Sequence, residues 1–185
     1  MTFNIVQLHD VVPTPWRNGG GTTRELLAWP DASAWRWRAS VAKVAQDGPF
    51  SGFAGVQRWF AVLEGDGVCL TVNGYLHMLS KSDGPLQFDG AAQTSCELLG
   101  GTTQDFNLMV QGSARARMLR IYGSLQILAN TPEMIAVYAH KSKARVQIGT
   151  EIHDLPPHSF GWTHVVAGAA IHVLAKDALL MEIEP

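Results

Sequence analysis

A ten-residue stretch near the start of the chain contains most of the group types that bind small polar molecules. Residues 16–25 read WRNGGGTTRE, and the three consecutive glycines leave a piece of backbone without side chains. Such backbone turns easily and exposes its N–H and C=O groups to another molecule. Around Gly20, Trp16 supplies an aromatic plane, Asn18 an amide and Glu25 a carboxylate. Asn-Gly is also a strong signal for a tight hairpin turn, which alone would explain the glycines.

Two further predicted strands contain arginines among largely apolar residues, and the first of them also contains a serine. Alternation along residues 35–44 places Arg38 and Ser40 on one face, which meets either solvent or an interior cavity. Arg58 shares a strand face with apolar neighbours, where an unpaired cation is costly. We therefore expect Arg58 either to form a salt bridge or to hold a ligand.

Residues 105–110 alternate strictly between polar and apolar side chains. Asp105 and Asn107 share one face and the opposite face is entirely apolar, which indicates either solvent or a polar cavity. Arginine presents a planar fork that matches a carboxylate, and amides fix a ligand's orientation. The pattern favours a small ligand with one or more carboxylates. The candidate ligand-binding residues are Trp16, Asn18, Gly20, Glu25, Arg38, Ser40, Arg58, Asp105 and Asn107.

Other chemistries have no clear sequence signature. Seven histidines occur without HxH or HExxH spacing, and a Pro-Pro turn interrupts the closest group, His153, His158 and His164, so we predict neither a metal site nor a cofactor. The chain contains no GxSxG and no GxxxxGK[ST] motif, and we assign no catalytic residue. Cys69 and Cys96 are expected to be reduced and buried.

Composition narrows the class of protein further. The chain has 185 residues, 46% of them hydrophobic, and a formal net charge of −2. A small charge that is dispersed along the chain gives no reason to expect nucleic acid or an anionic membrane as a partner. No signal peptide or membrane span is recognised, so we expect a cytoplasmic protein. The sequence is also compatible with a homodimer.

Short strands between glycine and proline turns predict an all-β fold. Eighteen glycines and nine prolines punctuate the chain, and no long amphipathic helical period appears between them. Residues 111–114 mark a candidate domain boundary, which predicts a first domain over residues 1–112 and a second over 113–185. The second half repeats the strand rhythm without the polar groups of the first.

These motifs resemble the HutD/Ves family. The resemblance lies in residues 16–25 and in DFNLM at 105–109, supported by RASVA at 38–42 and GPFS at 48–51. It implies a bicupin, two antiparallel cupin barrels in one chain, without the usual cupin metal ligands. The first barrel would hold the ligand pocket and the second would be smaller.

The resemblance also implies a function. HutD-type proteins are associated with bacterial histidine utilisation, where they are expected to sense a pathway metabolite such as N-formylglutamate or urocanate. We therefore expect a metal-independent binder of a small carboxylate metabolite with a regulatory role in amino-acid catabolism. The alternatives are a metal-free isomerase or hydrolase that uses Glu25 or Asp105 as general base, and a protein-interaction module with a vestigial cavity.

Overall fold

The computed structural model describes residues 2–184, and its regular structure is almost entirely β. Apart from one 3-10 helix (Leu8–Asp10), every element in that range is a strand. The all-β prediction is confirmed. No helix in residues 2–184 is long and apolar enough to cross a bilayer. The strands are β1 (Asn4–Gln7), β2 (Thr14–Pro15), β3 (Gly21–Trp29), β4 (Trp37–Val44), β5 (Gly48–Pro49), β6 (Val56–Glu64), β7 (Val68–Val72), β8 (Tyr75–Leu79), β9 (Leu86–Asp89), β10 (Thr94–Leu98), β11 (Thr103–Gln111), β12 (Arg115–Leu128), β13 (Glu133–Ala139), β14 (Ala144–Ile148), β15 (Glu151–Leu155), β16 (Ser159–Val165) and β17 (Ala170–Glu184).

The chain divides into two compact units. The first unit is Val11–Gly112, and the second unit combines the residues up to Asp10 with those from Ser113 onward. The predicted first domain began at residue 1, but the N-terminal strand belongs to the second unit because β1 pairs with β16. Gly161 of β16 makes this possible, since a Cβ there would lie 2.5 Å from the ring of Phe3.

The first unit contains two antiparallel sheets. The strand order is β2-β3-β4-β11-β6-β9 in the six-stranded sheet and β5-β10-β7-β8 in the four-stranded sheet. Buried residues of both sheets, such as Phe60 and Val62 of one and Val68 and Leu70 of the other, form one apolar cluster. The inner faces of the two sheets therefore pack on each other, as expected when each strand has one apolar face.

The second unit is built on a seven-stranded sheet. Its order is β1-β16-β13-β17-β14-β15, and β12 pairs with β17 along nearly its whole length. Every residue of β13 is buried, which fits its uniformly apolar sequence around Met134–Ala139.

The two cysteines are free and buried, in agreement with the sequence. They lie in neighbouring strands, but Cys69 is opposite Glu97 and Cys96 is opposite Leu70 in the register. Adjacent positions along a strand point to opposite faces, so the two thiols belong to different faces of the sheet.

Candidate functional site

Arg58 lies at the centre of the candidate site. It is near the start of β6, on the inner face of the six-stranded sheet, and only 8% of its surface is exposed. One Nη donates a hydrogen bond to Asn107 Oδ1 at 3.2 Å, and the other donates to the Ser51 carbonyl oxygen at 3.3 Å. Two of the five guanidinium N–H donors are thereby accounted for.

The guanidinium of Arg58 has no carboxylate partner within the part of the chain that the structure describes. Its Nε is buried without a hydrogen-bond partner. Burial, and then the positive charge of Arg38, lower the pKa of Arg58 to about 10, so the side chain stays protonated at neutral pH. Of the two outcomes expected from the sequence for Arg58, the salt bridge is not formed within residues 2–184.

Three phenylalanines surround the Arg58 guanidinium instead. Its central carbon lies 5.1 Å from the ring centroid of Phe88, 5.4 Å from that of Phe50 and 5.7 Å from that of Phe53. Cations are attracted to aromatic faces at these distances, more strongly where water is excluded. The rings hold the guanidinium in place without neutralising its charge.

Strand register explains why the other polar residues gather beside Arg58. Met109 of β11 is opposite Arg38 on one side and Arg58 on the other. Asn107, two residues earlier, is opposite Ser40, which is in turn opposite Glu25 of β3. Directly paired residues share a face, so the alternation read from the sequence places these side chains on one inner surface.

Arg38 is a second cation on this surface, but it is already paired. Its Nη1 lies 3.7 Å from Glu25 Oε2, and both side chains are partly exposed. The guanidinium also lies over Trp35, 5.2 Å from the ring centroid, and within 5.9 Å of Phe53. The ring of Phe53 is thus close to both arginines.

The glycine-rich stretch reaches the site through Trp16. The indole N–H donates to Thr23 Oγ1 at 2.8 Å, and the ring meets Phe50 edge-on with centroids 6.4 Å apart. Asn18 is exposed, and its Oδ1 accepts from the backbone N–H of Gly20 at 3.1 Å. In residues 2–184 neither Asn18 nor Gly20 forms a hydrogen bond with Arg58, and the bond between them stabilises the turn.

Asp105 is a fully buried carboxyl on the same face as Asn107. Its Oδ2 accepts a hydrogen bond from Thr103 Oγ1 at 2.7 Å, while its Oδ1 has no partner in the described residues. Burial raises the pKa of Asp105 to about 7, although the Thr103 hydrogen bond acts in the opposite direction. A group with this pKa can hold or release a proton near neutrality.

Sequence reasoning missed part of the surroundings of Arg58. Phe88 and Trp35 were not singled out, and the carbonyl of Ser51 carries no side-chain signal. Phe50 and Phe53 belong to a loop rich in turn residues, where packing is the simplest explanation for two aromatic side chains. The available sequence signal is the lone arginine on an apolar strand face, because a buried cation is stabilised by aromatic neighbours.

A shallow cleft of about 430 Å³ lies in the second unit. Its side chains offer amides and an imidazole but no charged group to match a carboxylate. We therefore place the candidate site at Arg58, whose charge has no carboxylate partner among the described residues. The cleft is lined by Gln126, Ile127, Leu128, Gln147, Gly149, Ala170, Ile171 and His172.

The all-β architecture is cupin-like. The solved structure of an oxalate decarboxylase variant from Bacillus subtilis superposes with a TM-score of 0.67 at 9% identity, covering 97% of this chain and 76% of that one. At that identity the likeness concerns the fold alone.

The chain belongs to the HutD family, whose model matches residues 8–181. It is 32% identical over 156 residues to an uncharacterised 21.2 kDa protein of the hutC 3′ region of Pseudomonas putida, covering 83% of this chain and 82% of that protein. The match to protein Ves of Citrobacter koseri is 40% over 99 residues, about half of each chain. The structure of HutD from Pseudomonas fluorescens SBW25 superposes with a TM-score of 0.86 at 30% identity, covering 99% and 98% of the two chains. The resemblance read from the sequence is confirmed.

Proposed function

We infer that this protein binds a small carboxylate metabolite in its first unit and acts as a sensor in amino-acid catabolism. The observation that carries the proposal is the Arg58 guanidinium, which is buried, charged and without a carboxylate partner in residues 2–184. An unpaired buried cation costs several kcal/mol in a folded protein. A ligand carboxylate would remove that cost.

The free donors of Arg58 support a carboxylate in particular. Asn107 and Ser51 each occupy one N–H, and Nε–H remains unsatisfied beside the remaining Nη hydrogens. Nε–H and an adjacent Nη–H form the fork that binds both oxygens of a carboxylate. Asn107 and the phenylalanine rings hold this fork in one orientation, so little ordering is required when the ligand binds.

The remaining site residues have subsidiary roles in this proposal. Arg38 adds positive charge, Ser40 and Asn107 orient the ligand, and the carboxyls accept its donor groups. Trp16 positions Phe50, and Asn18 with Gly20 shapes the loop that carries Trp16. The proposed ligand-binding set is Trp16, Asn18, Gly20, Glu25, Arg38, Ser40, Arg58, Asp105 and Asn107.

The family suggests the pathway and the architecture. A relative carries the name HutD and another is described by its position beside hutC, which supports a role in histidine utilisation. N-formylglutamate and urocanate, the metabolites named for this family, both carry carboxylates. We further propose that each unit is one cupin barrel, which makes the chain a cytoplasmic bicupin.

Thermal unfolding in the presence of candidate ligands tests the proposal. N-formylglutamate, urocanate and formate would be compared with chloride at equal ionic strength. A ligand at one hundred times its Kd adds about 2.7 kcal/mol to the unfolding free energy. We expect stabilisation of the native chain by at least one carboxylate and none for Arg58→Met. Equal stabilisation of both proteins, or of neither, would contradict the assignment of Arg58.

A metal-free enzyme is the second candidate, and Asp105 favours it. A buried carboxyl with a pKa of about 7 is suited to general acid–base catalysis at neutral pH. Proton NMR of the protein with each metabolite separates the two functions. New product signals that depend on Asp105 would identify an enzyme, whereas line broadening of unchanged metabolite supports the sensor.

A further inference from the structure

Strand β8 forms an unprotected edge of the four-stranded sheet. It follows β7 through the turn Asn73-Gly74, whose φ values of 47° and 84° are those of a tight hairpin turn. In the described residues β8 pairs with β7 and with no other strand. Its second edge therefore has free backbone donors and acceptors.

The hairpin register shows which backbone groups face outward. A two-residue turn makes Val72 and Tyr75 a hydrogen-bonded pair, and such pairs alternate with non-hydrogen-bonded ones along the ladder. His77 therefore bonds to β7, opposite Leu70, whereas the N–H and C=O groups of Leu76 and Met78 point away from the sheet.

The side chains on this edge are apolar and exposed. Tyr75 is 74% exposed, Leu76 71% and Met78 62%. The strand reads YLHML and contains no Asp, Glu, Lys, Arg or Pro. Free sheet edges of this kind pair readily with another strand, and natural proteins usually block them.

The other sheet edges in the described residues carry such blocks or are short. Strands β2 and β5 have two residues each and both end in proline. Strand β12 has three arginines and a register irregularity, and β15 has Glu151 and Asp154. Strands β1 and β9 have four residues, with amides at both ends of β1 and an aspartate at the end of β9. The edge of β8 has no protection of this kind.

We propose that β8 is a dimerisation edge, on which β8 of a second copy of this chain adds in antiparallel orientation about a two-fold axis through His77. Leu76 then lies opposite Met78 of the partner subunit, and each such pair exchanges two backbone hydrogen bonds. The two four-stranded sheets join into one continuous sheet. The inference does not depend on which ligand the first unit binds.

A second copy fits this edge better than a different partner because the strand is self-complementary. The strand contains no Asp, Glu, Lys or Arg that would meet its own copy, and its outward backbone groups are symmetric about His77. The three exposed side chains offer roughly 400 Å² per copy, about half of what each partner buries in a standard interface. We expect a reversible dimer of moderate affinity.

Sedimentation of the full-length chain over a range of concentrations tests the proposal. We expect a monomer–dimer equilibrium for the native protein and at least a tenfold weaker dimer for Leu76→Lys with Met78→Lys, which places like charges opposite each other. Leu76→Lys with Met78→Glu places opposite charges there and should restore dimerisation. The matched control is Ile152→Lys, at an exposed apolar residue of the edge strand β15.

Hydrogen exchange of the native dimer gives a second readout. The amides of Leu76 and Met78 should exchange more slowly as the protein concentration rises, while the amide of His77 should not respond. A native chain that stays monomeric at its solubility limit overturns the proposal, whatever else binds the edge. So does a dimer that persists in the double-lysine variant, or one that Ile152→Lys dissociates.

Discussion

Arg58 brings a permanent charge into an apolar part of the first unit. Three aromatic rings and two hydrogen bonds hold the guanidinium, but none of them neutralises it. Such an arrangement lowers the stability of the unoccupied protein, a cost often found where a residue serves binding.

Substitution of Arg58 therefore has opposite expected effects on stability and on binding. Arg58→Met removes the buried charge and keeps the apolar stem, although Asn107 Oδ1 loses a donor. We expect the unfolding free energy in urea to stay the same or rise, by about 1–3 kcal/mol. Arg145→Met, at an exposed arginine paired with Asp154, is the control and should leave the urea unfolding midpoint essentially unchanged, because exposed ion pairs contribute little to stability. A loss of more than about 2 kcal/mol for Arg58→Met would show that Arg58 is structural.

Asp105 makes the unfolding free energy depend on pH. Its pKa is about 7 in the folded chain and about 4 when unfolded. Between these values the folded state binds more protons, so stability falls as the pH rises, by up to about 1.4 kcal/mol per pH unit. Asp105→Asn mimics the protonated acid and still accepts from Thr103, so it should lack this fall. Urea unfolding from pH 4 to 8 measures the difference, and parallel curves for the two proteins would contradict the raised pKa.

At the scale of elements, the start of β3 depends on a glycine that fits closely. A Cβ at Gly21 would collide with the Lys43 carbonyl oxygen and lie 3.1 Å from the Trp16 ring. The first glycine of the triplet, Gly19, has a φ of 73°, which favours glycine for a different reason. The triplet thus both turns the chain and lets β3 approach β4 beneath the indole.

Gly21→Ala should consequently destabilise the protein. We expect a loss of about 1–3 kcal/mol in unfolding free energy, because the Lys43 carbonyl belongs to a paired strand and cannot move freely. Gly101→Ala is the matched control, since a Cβ there meets no atom within 4 Å and its φ is ordinary. That variant should be neutral or slightly more stable. Equal thermal unfolding of the two variants would show that the site has more room than the structure indicates.

Alternation and turn chemistry predicted most of these elements. The polar faces of β4 and β11 follow from period two, and Asn73-Gly74 forms the hairpin turn that its sequence indicates. Glycine often interrupts a strand, yet β12 continues from Arg115 to Leu128, and Gly123 lies at a register irregularity within it.

Neighbours across the sheets are harder to derive from sequence. The hydrogen bond between Arg58 and Asn107 joins residues 49 positions apart, and nothing local fixes that register. The pairing of β1 with β16 joins two ends of the chain, and local sequence does not determine that register either. Arg58 is thus recognisable as unusual from its neighbours in sequence, while only the fold shows that it has no carboxylate partner in residues 2–184.

At the scale of the whole molecule, the chain is a member of the HutD family with two compact β units. The groups proposed to bind a carboxylate all lie within the first unit. The strand that the proposed dimer uses, β8, is in the same unit but in its other sheet. The account therefore predicts that Arg58→Met affects only the proposed ligand binding and that the β8 variants affect only the proposed self-association.

Calorimetric titration of the purified chain tests the central claim most directly. N-formylglutamate and urocanate would each be titrated into the native protein, Arg58→Met and Arg145→Met. The account predicts saturable binding of at least one of them to the native protein and to Arg145→Met, with a loss of at least about a hundredfold in affinity for Arg58→Met. Binding of unchanged affinity to the Arg58 variant, in a protein that is still folded, would contradict it.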